Sequence, residues 1–250
     1  MRLAIIMAMG SGKGGVGKST LSAGIGAALA RAGERVLLID CDAGLRSLDI
    51  MLGVTEQLVF DLSDVAEERC DPTEAIYECP ACPGLSVVAA TPLRPLRPDV
   101  CCAVTEELAL GFDRVIMDAP AGIGSGFASA IAPAGSALIV ATPDAVSVRS
   151  GTAVRRAMAR TGLTDCRLIL NRFSAAQFDG DDSFRDLDEV IDRTGIQLIG
   201  VVPEDRAVPM MASHGVPFLQ RSPASQACAR IAGRIRGERI PLPQLDRFGY

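Results

Sequence analysis

Residues 12–20 read Gly-Lys-Gly-Gly-Val-Gly-Lys-Ser-Thr, and their spacing fits a phosphate-binding loop, in which glycine is followed by four residues and then Gly-Lys-Ser. Glycines let such a loop curl with its backbone N–H groups pointing inward, and no Cβ stands in the way of an anion. The pattern predicts that nucleotide phosphates bind to these residues: Gly12, Lys13, Gly14, Gly15, Val16, Gly17, Lys18, Ser19 and Thr20.

The segments on either side of the loop support this interpretation. Residues 3–9 form a short, uncharged apolar run, as expected of a buried parallel strand. After the loop, Leu21, Ile25 and Leu29 recur at helical spacing up to a stop at Gly33. Strand, glycine loop and helix in this order are the context of a phosphate-binding loop, so a glycine-rich turn that binds nothing is disfavoured.

Individual residues of the loop have different predicted roles. Lys18 is expected to reach the β- and γ-phosphates, and the Ser19 hydroxyl is expected to bind Mg²⁺. Lys13 adds a charge that a phosphate-binding loop does not in general require. It is either a solvated loop lysine or a cation that neutralises phosphate charge across a dimer interface.

Length and composition are those of a globular protein with a substantial core. The 250 residues are 48% hydrophobic and 22% charged, and we predict a single domain over residues 1–240 followed by a short tail, 241–250. No apolar run reaches the roughly 18 residues of a transmembrane helix, and the N-terminal run is too short for a signal peptide, which indicates a cytoplasmic protein. The net charge of −5 argues against a broad nucleic-acid-binding surface.

Apolar runs and helical patterns alternate along the whole chain. This alternation predicts an α/β fold with a doubly wound, mostly parallel sheet and helices on both faces. The clearest helical patterns cover residues 145–161 and 186–194. Ligands of such sheets bind at the carboxyl ends of the strands. The predicted strands are residues 3–9, 35–40, 85–90, 114–118, 136–141, 167–171 and 197–202.

Carboxylates stand at the ends of two predicted strands. Asp40 and Asp42 follow one strand in an acidic run that suits Mg²⁺ and water, although the pair also fits a turn and helix cap. Asp118 ends another strand, where a carboxylate can hold Mg²⁺ through water, and a strand-end turn is the alternative. The predicted metal-binding residues are Ser19, Asp40 and Asp118.

The loop resembles the deviant Walker A motif of the MinD/ParA family of P-loop ATPases, Lys-Gly-Gly-Val-Gly-Lys-Ser/Thr-Thr. Residues 40–49 (Asp-Cys-Asp-Ala-Gly-Leu-Arg-Ser-Leu-Asp) resemble the family's switch I, and residues 118–123 (Asp-Ala-Pro-Ala-Gly-Ile) resemble its switch II. The resemblance covers nearly the whole chain. Three strings are more similar to the MinD branch than to the ParA or flagellar branches: residues 44–46, 60–65 and 69–70.

This resemblance implies an ATP-dependent, dimerising switch that binds ATP or ADP with Mg²⁺ and hydrolyses ATP. It implies that Lys13 contacts nucleotide in the partner subunit of a homodimer. It also implies that Asp42 orients the attacking water and that Asp40 supports the Mg²⁺ shell. The predicted catalytic residues are therefore Lys13, Lys18 and Asp42, and hydrolysis is expected to release both switches and open the dimer.

Two later strand ends are expected to form the pocket for the base, mainly on the strength of the resemblance. Asn171 and Arg172 follow one strand, and the family's asparagine at this position hydrogen-bonds adenine. An asparagine side chain offers a donor and an acceptor together, which suits the adenine edge. The turn formed by Pro203, Glu204 and Asp205 follows the other strand and is expected to lie against the base.

The resemblance to the MinD branch also implies a role in placing the cell-division septum, with MinC- and MinE-like proteins and the inner membrane surface as partners. Two departures bear on those partners. Ser150 and Thr152 stand where relatives often carry acidic residues on a partner-binding helix, and Pro241 and Pro243 interrupt a tail that forms a basic amphipathic helix in relatives. We expect the last helix to pack on the domain of a cytoplasmic protein, with peripheral membrane binding as a further option.

Alternatives from other functional classes remain. A positioning ATPase of the ParA or flagellar-number type would bind DNA or protein cargo, but the acidic balance argues against it. An iron–sulfur carrier of the same superfamily would use cysteines after switch II, and none occurs before Cys166. A zinc site is a third alternative to reduced, buried thiols, with four cysteines as its ligands: Cys79, Cys82, Cys101 and Cys102.

Overall fold

The computed structural model describes residues 3–174, 184–217 and 222–243. Most of the predicted tail, residues 244–250, lies outside the described residues. Strands of the described chain form one sheet: β1 (Ile5–Gly10), β2 (Val36–Asp40), β3 (Tyr77–Glu78), β4 (Leu85–Val88), β5 (Arg114–Asp118), β6 (Ser136–Ala141), β7 (Cys166–Phe173) and β8 (Gln197–Pro203).

The sheet has the order β3-β4-β2-β5-β1-β6-β7-β8 within the described ranges. Every neighbouring pair is parallel except β3 and β4, which are antiparallel at one edge. The predicted doubly wound, mostly parallel sheet is therefore confirmed. Sequence reasoning does not predict β3, because two residues are too short a run to show a period.

Helices connect these strands and cover both faces of the sheet. They are α1 (Lys18–Arg31), α2 (Leu48–Leu52), α3 (Leu62–Ala66), α4 (Pro98–Leu108), α5 (Ser125–Ile131), α6 (Ala145–Arg160), α7 (Leu187–Thr194), α8 (Ala207–Ser213) and α9 (Pro223–Ile235), with 3₁₀ turns at Thr55–Gln57 and Pro72–Ala75. The two helical patterns singled out in the sequence agree with α6 and α7 to within one residue at each end.

A separate hydrophobic core lies on each face of the sheet. One includes Leu21, Ile25 and Leu29 of α1, and the other includes Val104 of α4 and Val154 of α6. Burying an aliphatic side chain of this size stabilises the fold by roughly 1.5–3 kcal/mol. The apolar spacing that predicts α1 in the sequence therefore corresponds to its buried face.

The cysteines considered for a zinc site do not come together. Cys79 and Cys82 are buried in the core that contains α1, whereas Cys101 is buried in the core on the opposite face. Within the described ranges, no group of three or more histidine, cysteine or acidic side chains has the arrangement of a metal site. Cys79 and Cys82 are themselves part of the turn between β3 and β4, and both are buried.

Helix α9 packs on the domain through its apolar face. Its buried residues include Cys228 and Ile231, which belong to the same core as α1. Arg234 donates hydrogen bonds to the carbonyl oxygens of Ile199 (2.7 Å), Ile240 (2.9 Å) and Pro241 (2.8 Å). This arginine thereby ties the chain after α9 to the edge of the sheet. Among the helices that the structure describes, none combines the length and the apolar character needed to span a bilayer.

Candidate nucleotide-binding site

The predicted phosphate loop connects β1 to α1 at the carboxyl edge of the sheet. Helix α1 begins at Lys18, and Gly17 is its N-cap in the left-handed region (φ 90°). Gly15 is left-handed as well (φ 75°), a conformation that L side chains rarely adopt. At Gly12 the requirement is space, because a Cβ there would lie 2.5 Å from the Cβ of Ser150 on α6. The glycines therefore shape the loop and let it pass close to α6.

Asn171 packs against this loop from the end of β7. Its Nδ2 donates a hydrogen bond to the carbonyl oxygen of Val16 (2.7 Å), and a Cβ on Gly17 would lie 2.3 Å from the same nitrogen. Sequence reasoning does not anticipate this contact. Because it commits one N–H of the amide to the loop, a contact with adenine must use the remaining N–H or the oxygen. The role of Asn171 at the adenine edge stays a prediction.

Asp118 is fully buried at the end of β5, behind the loop. Its Oδ1 accepts a hydrogen bond from the Ser22 hydroxyl on α1 (2.8 Å), whereas no described group hydrogen-bonds its Oδ2. Burial raises the pKa of Asp118, against the opposing effects of the Lys18 ammonium and the hydroxyls of Ser19 and Ser22. A buried carboxylate oxygen without a partner, next to a hydroxyl, has the oxygen chemistry of a Mg²⁺ site. Ser19 and Asp118 therefore fit the predicted metal.

Asp40 lies opposite Asp118 in the register of β2 and β5 and is buried as well. Its Oδ1 accepts a hydrogen bond from the N–H of Asp42 (2.9 Å), and its Oδ2 accepts from those of Ser47 (3.2 Å) and Leu48 (3.3 Å). Burial first, and then the charge of Asp118, raises the pKa of Asp40 to about 7. Asp40 therefore organises the predicted switch I, and a cation beside the two carboxylates would relieve their repulsion.

Both predicted switches lie at the phosphate end of the site. In switch I, Asp42 is close enough to Asp118 for its charge to raise the pKa of that carboxyl further. In switch II, the N–H of Gly122 donates a hydrogen bond to the carbonyl oxygen of Ser11 at the start of the phosphate loop (2.9 Å). The structure thus brings the loop, Asp42 and Asp118 together, as the sequence predicts for a phosphate-hydrolysing site.

Lys13 extends from the loop to the N-terminus of α6. Its ammonium lies 3.4 Å from both carboxylate oxygens of Asp144, and both side chains are exposed. Partial burial alone would raise the pKa of Asp144, but hydrogen bonds from Thr142 and Ser147 and the ammonium of Lys13 hold it below its usual range. An exposed pair of this kind contributes little stability, roughly 0–1 kcal/mol, so Lys13 is free to exchange partners.

A shallow cleft continues from the phosphate loop along the ends of β7 and β8. Its lining includes seven of the residues predicted to bind nucleotide, which are Gly17, Thr20, Asn171, Arg172, Pro203, Glu204 and Asp205. This cleft lies next to the loop, so the residues predicted to bind the base lie beside those predicted to bind the phosphates.

Asp205 has a structural task within this cleft. Its Oδ1 accepts from the N–H of Ala207 on α8, and its Oδ2 accepts from the N–H of Ala224 on α9, both at 3.0 Å. Partial burial alone would raise the pKa of Asp205, but these hydrogen bonds and one from Ser222 lower it. The carboxylate therefore holds the starts of two helices beside the cleft, and its predicted contact with the base stays a prediction.

Comparison with known proteins identifies the family. The family described as the CobQ/CobB/MinD/ParA nucleotide binding domain matches residues 7–218. The septum site-determining protein MinD of Bacillus subtilis (strain 168) is 36% identical over 249 residues, which cover 94% of this chain and 90% of that protein. The chain belongs to the MinD/ParA family. The predicted class of nucleotide-binding ATPase is thereby confirmed.

Solved structures of this family share the fold. A chain of the MinC:MinD cell division protein complex from Aquifex aeolicus matches with a TM-score of 0.89 at 34% identity, covering 97% of this chain and 99% of that chain. MinD complexed with Mg-ADP from Pyrococcus horikoshii OT3 matches with a TM-score of 0.83 at 24% identity, covering 93% and 96%. The second likeness is one of fold alone. The resemblance to the MinD/ParA family stated from the motifs is thus confirmed over nearly the full chain.

Sequence reasoning misses two residues of this family member's site. Ser22 bonds Asp118, and it follows Ser19 by three positions, a spacing that puts both hydroxyls on one face of α1. Asp144 pairs with Lys13, and it follows β6 at the carboxyl edge where ligands bind. Both signals are present in the sequence as a helical spacing and a carboxylate shortly after a strand end.

Proposed function

We propose that this MinD/ParA-family protein is a Mg²⁺-dependent ATPase that works as an ATP-driven, dimerising switch and helps place the division septum. The observation that carries the ATPase part is the buried pair Asp40 and Asp118, with Asp118 Oδ2 unpartnered among the described residues, directly behind the phosphate loop. The septum role is supported by the relatives at 33–36% identity that are named septum site-determining proteins.

In this proposal, one ATPase domain over residues 1–240 holds the nucleotide, and residues 241–250 are a tail. Lys18 contacts the β- and γ-phosphates, and the loop N–H groups stabilise the charge of the transferring phosphoryl group. Ser19 and Asp118 hold Mg²⁺, and Asp40 supports it through the switch I backbone. The bound ion supplies positive charge to the phosphate oxygens.

Asp42 is the residue that we assign to the attacking water. It stands two residues after Asp40, and its own N–H is fixed by the Asp40 carboxylate, so its position depends on the same strand end that faces Asp118. A carboxylate held there can accept the hydrogen bond that orients a water for in-line attack. Hydrolysis removes the γ-phosphate, and switch I and switch II then relax.

Lys13 and the surface around it support a homodimer. In this single chain the Lys13 ammonium rests on Asp144, at the rim of the site rather than inside it. Three large apolar side chains are exposed on loops and a helix start at the same edge, namely Leu45 (74% exposed), Ile123 (58%) and Val146 (66%). A second copy that covers this edge would bury them and receive Lys13 at its own phosphates.

The groove between α6 and α7 is the surface that we assign to a MinC-like partner. It has a volume of about 670 Å³ and is lined by Arg149, Thr152, Arg156 and Arg193, of which Arg193 is ion-paired with Glu189. An Aquifex aeolicus relative was solved in a MinC:MinD complex. The cationic lining predicts that Arg156→Glu weakens capture of a MinC-like protein from the same cell, whereas Arg160→Glu on the same helix leaves it unchanged.

We further propose that the protein is cytoplasmic, that it binds a MinE-like partner and that it contacts the inner face of the membrane reversibly. Helix α9 is not the membrane-binding element in this account, because its apolar face is packed and Arg234 is bonded to three backbone carbonyls. Vesicle co-sedimentation of the full chain with ATP or with ADP tests the membrane contact, and pelleting in ADP as strong as in ATP would contradict a nucleotide-dependent switch.

The ATPase assignment is tested by hydrolysis and binding in the same variant. Asp42→Ala should lower phosphate release from Mg-ATP by at least about 100-fold while its affinity for ATP stays within a few fold of wild type. Asp99→Ala, which removes an exposed carboxylate that pairs with Arg97 at the start of α4, is the matched control. Equal hydrolysis rates for Asp42→Ala and wild type would contradict the assigned role.

A further inference from the structure

We propose that Ser22 is a positioning residue of the Mg²⁺ site, which holds one oxygen of Asp118 so that the other oxygen faces the cation. The inference rests on the proposed function, because it adds a residue to the same site. It begins from a hydroxyl whose hydrogen bond is unusual for its place in a helix.

Ser22 lies inside α1 and is completely buried. A serine within a helix commonly returns its O–H to the carbonyl oxygen three or four residues earlier. The Ser22 hydroxyl instead donates to Oδ1 of Asp118 on the neighbouring strand (2.8 Å). Hydrogen bonds to an ionised carboxylate are about twice as strong as bonds between neutral groups, so this contact fixes the orientation of the carboxyl plane.

The consequence for Asp118 is an asymmetric carboxylate. Oδ1 is engaged by Ser22, and Oδ2 is buried with no hydrogen-bond partner in the described chain. Ser19 lies one turn before Ser22 on the same face of α1, and its hydroxyl is near enough to act on Asp118. The two hydroxyls of α1 therefore have different roles, because Ser19 would bind the cation and Ser22 orients the carboxylate of Asp118.

Asp40 shows why such a contact matters. Both of its oxygens accept backbone N–H groups of switch I, so it is oriented by the loop that follows it. Within the described chain, by contrast, no backbone N–H caps the Asp118 carboxylate, and its Oδ1 is held by the Ser22 hydroxyl. Without the Ser22 hydroxyl, Oδ1 of Asp118 would lose this hydrogen bond, and the carboxyl group could rotate away from the metal position.

The test is the Mg²⁺ dependence of nucleotide binding, which does not require turnover. Calorimetric titrations with ADP are made in EDTA and at a series of Mg²⁺ concentrations. Ser22→Ala should keep the affinity measured in EDTA and should raise the Mg²⁺ concentration for half of the Mg²⁺-dependent gain by roughly tenfold or more, as expected for one hydrogen bond to a charged group.

The matched control is Thr105→Val, which removes another fully buried hydroxyl that faces β5, from the opposite side of the sheet. It should leave the Mg²⁺ dependence of ADP binding unchanged. An unchanged Mg²⁺ dependence in Ser22→Ala, or an equal shift in both variants, would overturn the inference. If Ser22→Ala does not fold, Ser22→Cys keeps the volume and a weak donor, and a smaller shift in the same direction is expected; no shift would again overturn it.

Asp118→Asn separates this inference from the proposed Mg²⁺ site. If Asp118→Asn loses the Mg²⁺-dependent gain in ADP affinity and Ser22→Ala retains it, the metal site stands and Ser22 has no positioning role. If Asp118→Asn itself responds to Mg²⁺ as wild type does, the proposed metal site is wrong, and the inference about Ser22 is overturned with it.

Discussion

The two ends of the nucleotide cleft differ in how their carboxylates are satisfied. At the base end, both oxygens of Asp205 accept backbone N–H groups, and its pKa is lowered. At the phosphate end, Asp118 keeps one buried oxygen without a described partner, and burial raises its pKa. The base end is thus complete without a ligand, whereas the phosphate end is organised around a positive charge that the chain itself does not provide in full.

The carboxylates at the two ends therefore have different roles, one in the stability of the fold and the other in ligand binding. A satisfied carboxylate stabilises the helices beside the cleft, and its removal should affect the fold first. An unsatisfied, buried carboxylate destabilises the free protein and is retained where a ligand completes it. Variants at the two ends should therefore fail in different ways.

The largest effect is expected at the phosphate end. Lys18→Ala removes the cation placed for the phosphates, and ATP and ADP affinities should fall by more than about 100-fold, as for loss of a buried charged contact. Equilibrium binding of a fluorescent ADP measures this loss. Arg172→Ala at the base end is the comparison, since Arg172 is exposed, lies away from the predicted phosphate contacts and should change the affinity far less. Comparable losses in both variants would contradict the contrast between the ends.

A moderate effect, on stability rather than on nucleotide affinity, is expected for Asp205→Ala. Two helix-start hydrogen bonds disappear, each of the order of 1 kcal/mol, so the melting temperature should fall by roughly 4–8 °C. The affinity for ADP should change by less than about tenfold, because this carboxylate is occupied by backbone groups. Thermal unfolding and ADP titration of the same sample check both parts. A large loss of affinity with an unchanged melting temperature would mean that Asp205 serves the nucleotide directly.

The last prediction concerns the dependence of stability on pH. The pKa of Asp40 is raised from 3.8 to about 7 in the folded chain, so the unfolded chain ionises first as the pH rises. The stability associated with protonated Asp40 is therefore present at low pH and is lost between about pH 4 and pH 7. Wild type without nucleotide, in EDTA, should melt at a lower temperature near pH 8 than near pH 5.

Asp118→Asn removes one buried carboxylate and its charge next to Asp40, so it should reduce the loss of stability at high pH. It should therefore melt at a higher temperature than wild type near pH 8, and the difference should shrink towards pH 4. Asp99→Asn, at an exposed position, is the control. A melting temperature for Asp118→Asn that is parallel to wild type at every pH would show that the two buried carboxylates do not interact.

Whether a feature could be predicted from the sequence depends on how far apart its residues are along the chain. The phosphate loop, Asp40 and Asp118 can be predicted because each comes at the end of an apolar strand, in a short string with a strict residue order. The hydrogen bond from Asn171 to Val16 joins residues 155 positions apart, and the contact of Lys13 with Asp144 joins residues 131 apart. No local pattern reports such contacts, which depend on how β7 and α6 pack beside the loop.

The base end shows the same limit in another form. Pro203, Glu204 and Asp205 were assigned from the resemblance to a family, and the cleft contains them. The sequence could not show that Asp205 holds the starts of α8 and α9, because Ala207 and Ala224 donate through their backbone and carry no side-chain signal. The sequence therefore predicts that Asp205 lies in the cleft, and only the structure shows that its carboxylate holds the two helices.

The measurement that tests the central claim most directly is the mass of the protein in solution by light scattering, with Mg-ATP and with Mg-ADP. Asp42→Ala is used to slow hydrolysis, and Asp42→Ala/Lys13→Ala is the variant that lacks the cation for the partner's phosphates. The account predicts a dimer for Asp42→Ala in Mg-ATP, a monomer in Mg-ADP, and a monomer for the double variant in both. A mass that does not depend on the nucleotide, with ATP binding confirmed in the same sample, would contradict the ATP-driven switch.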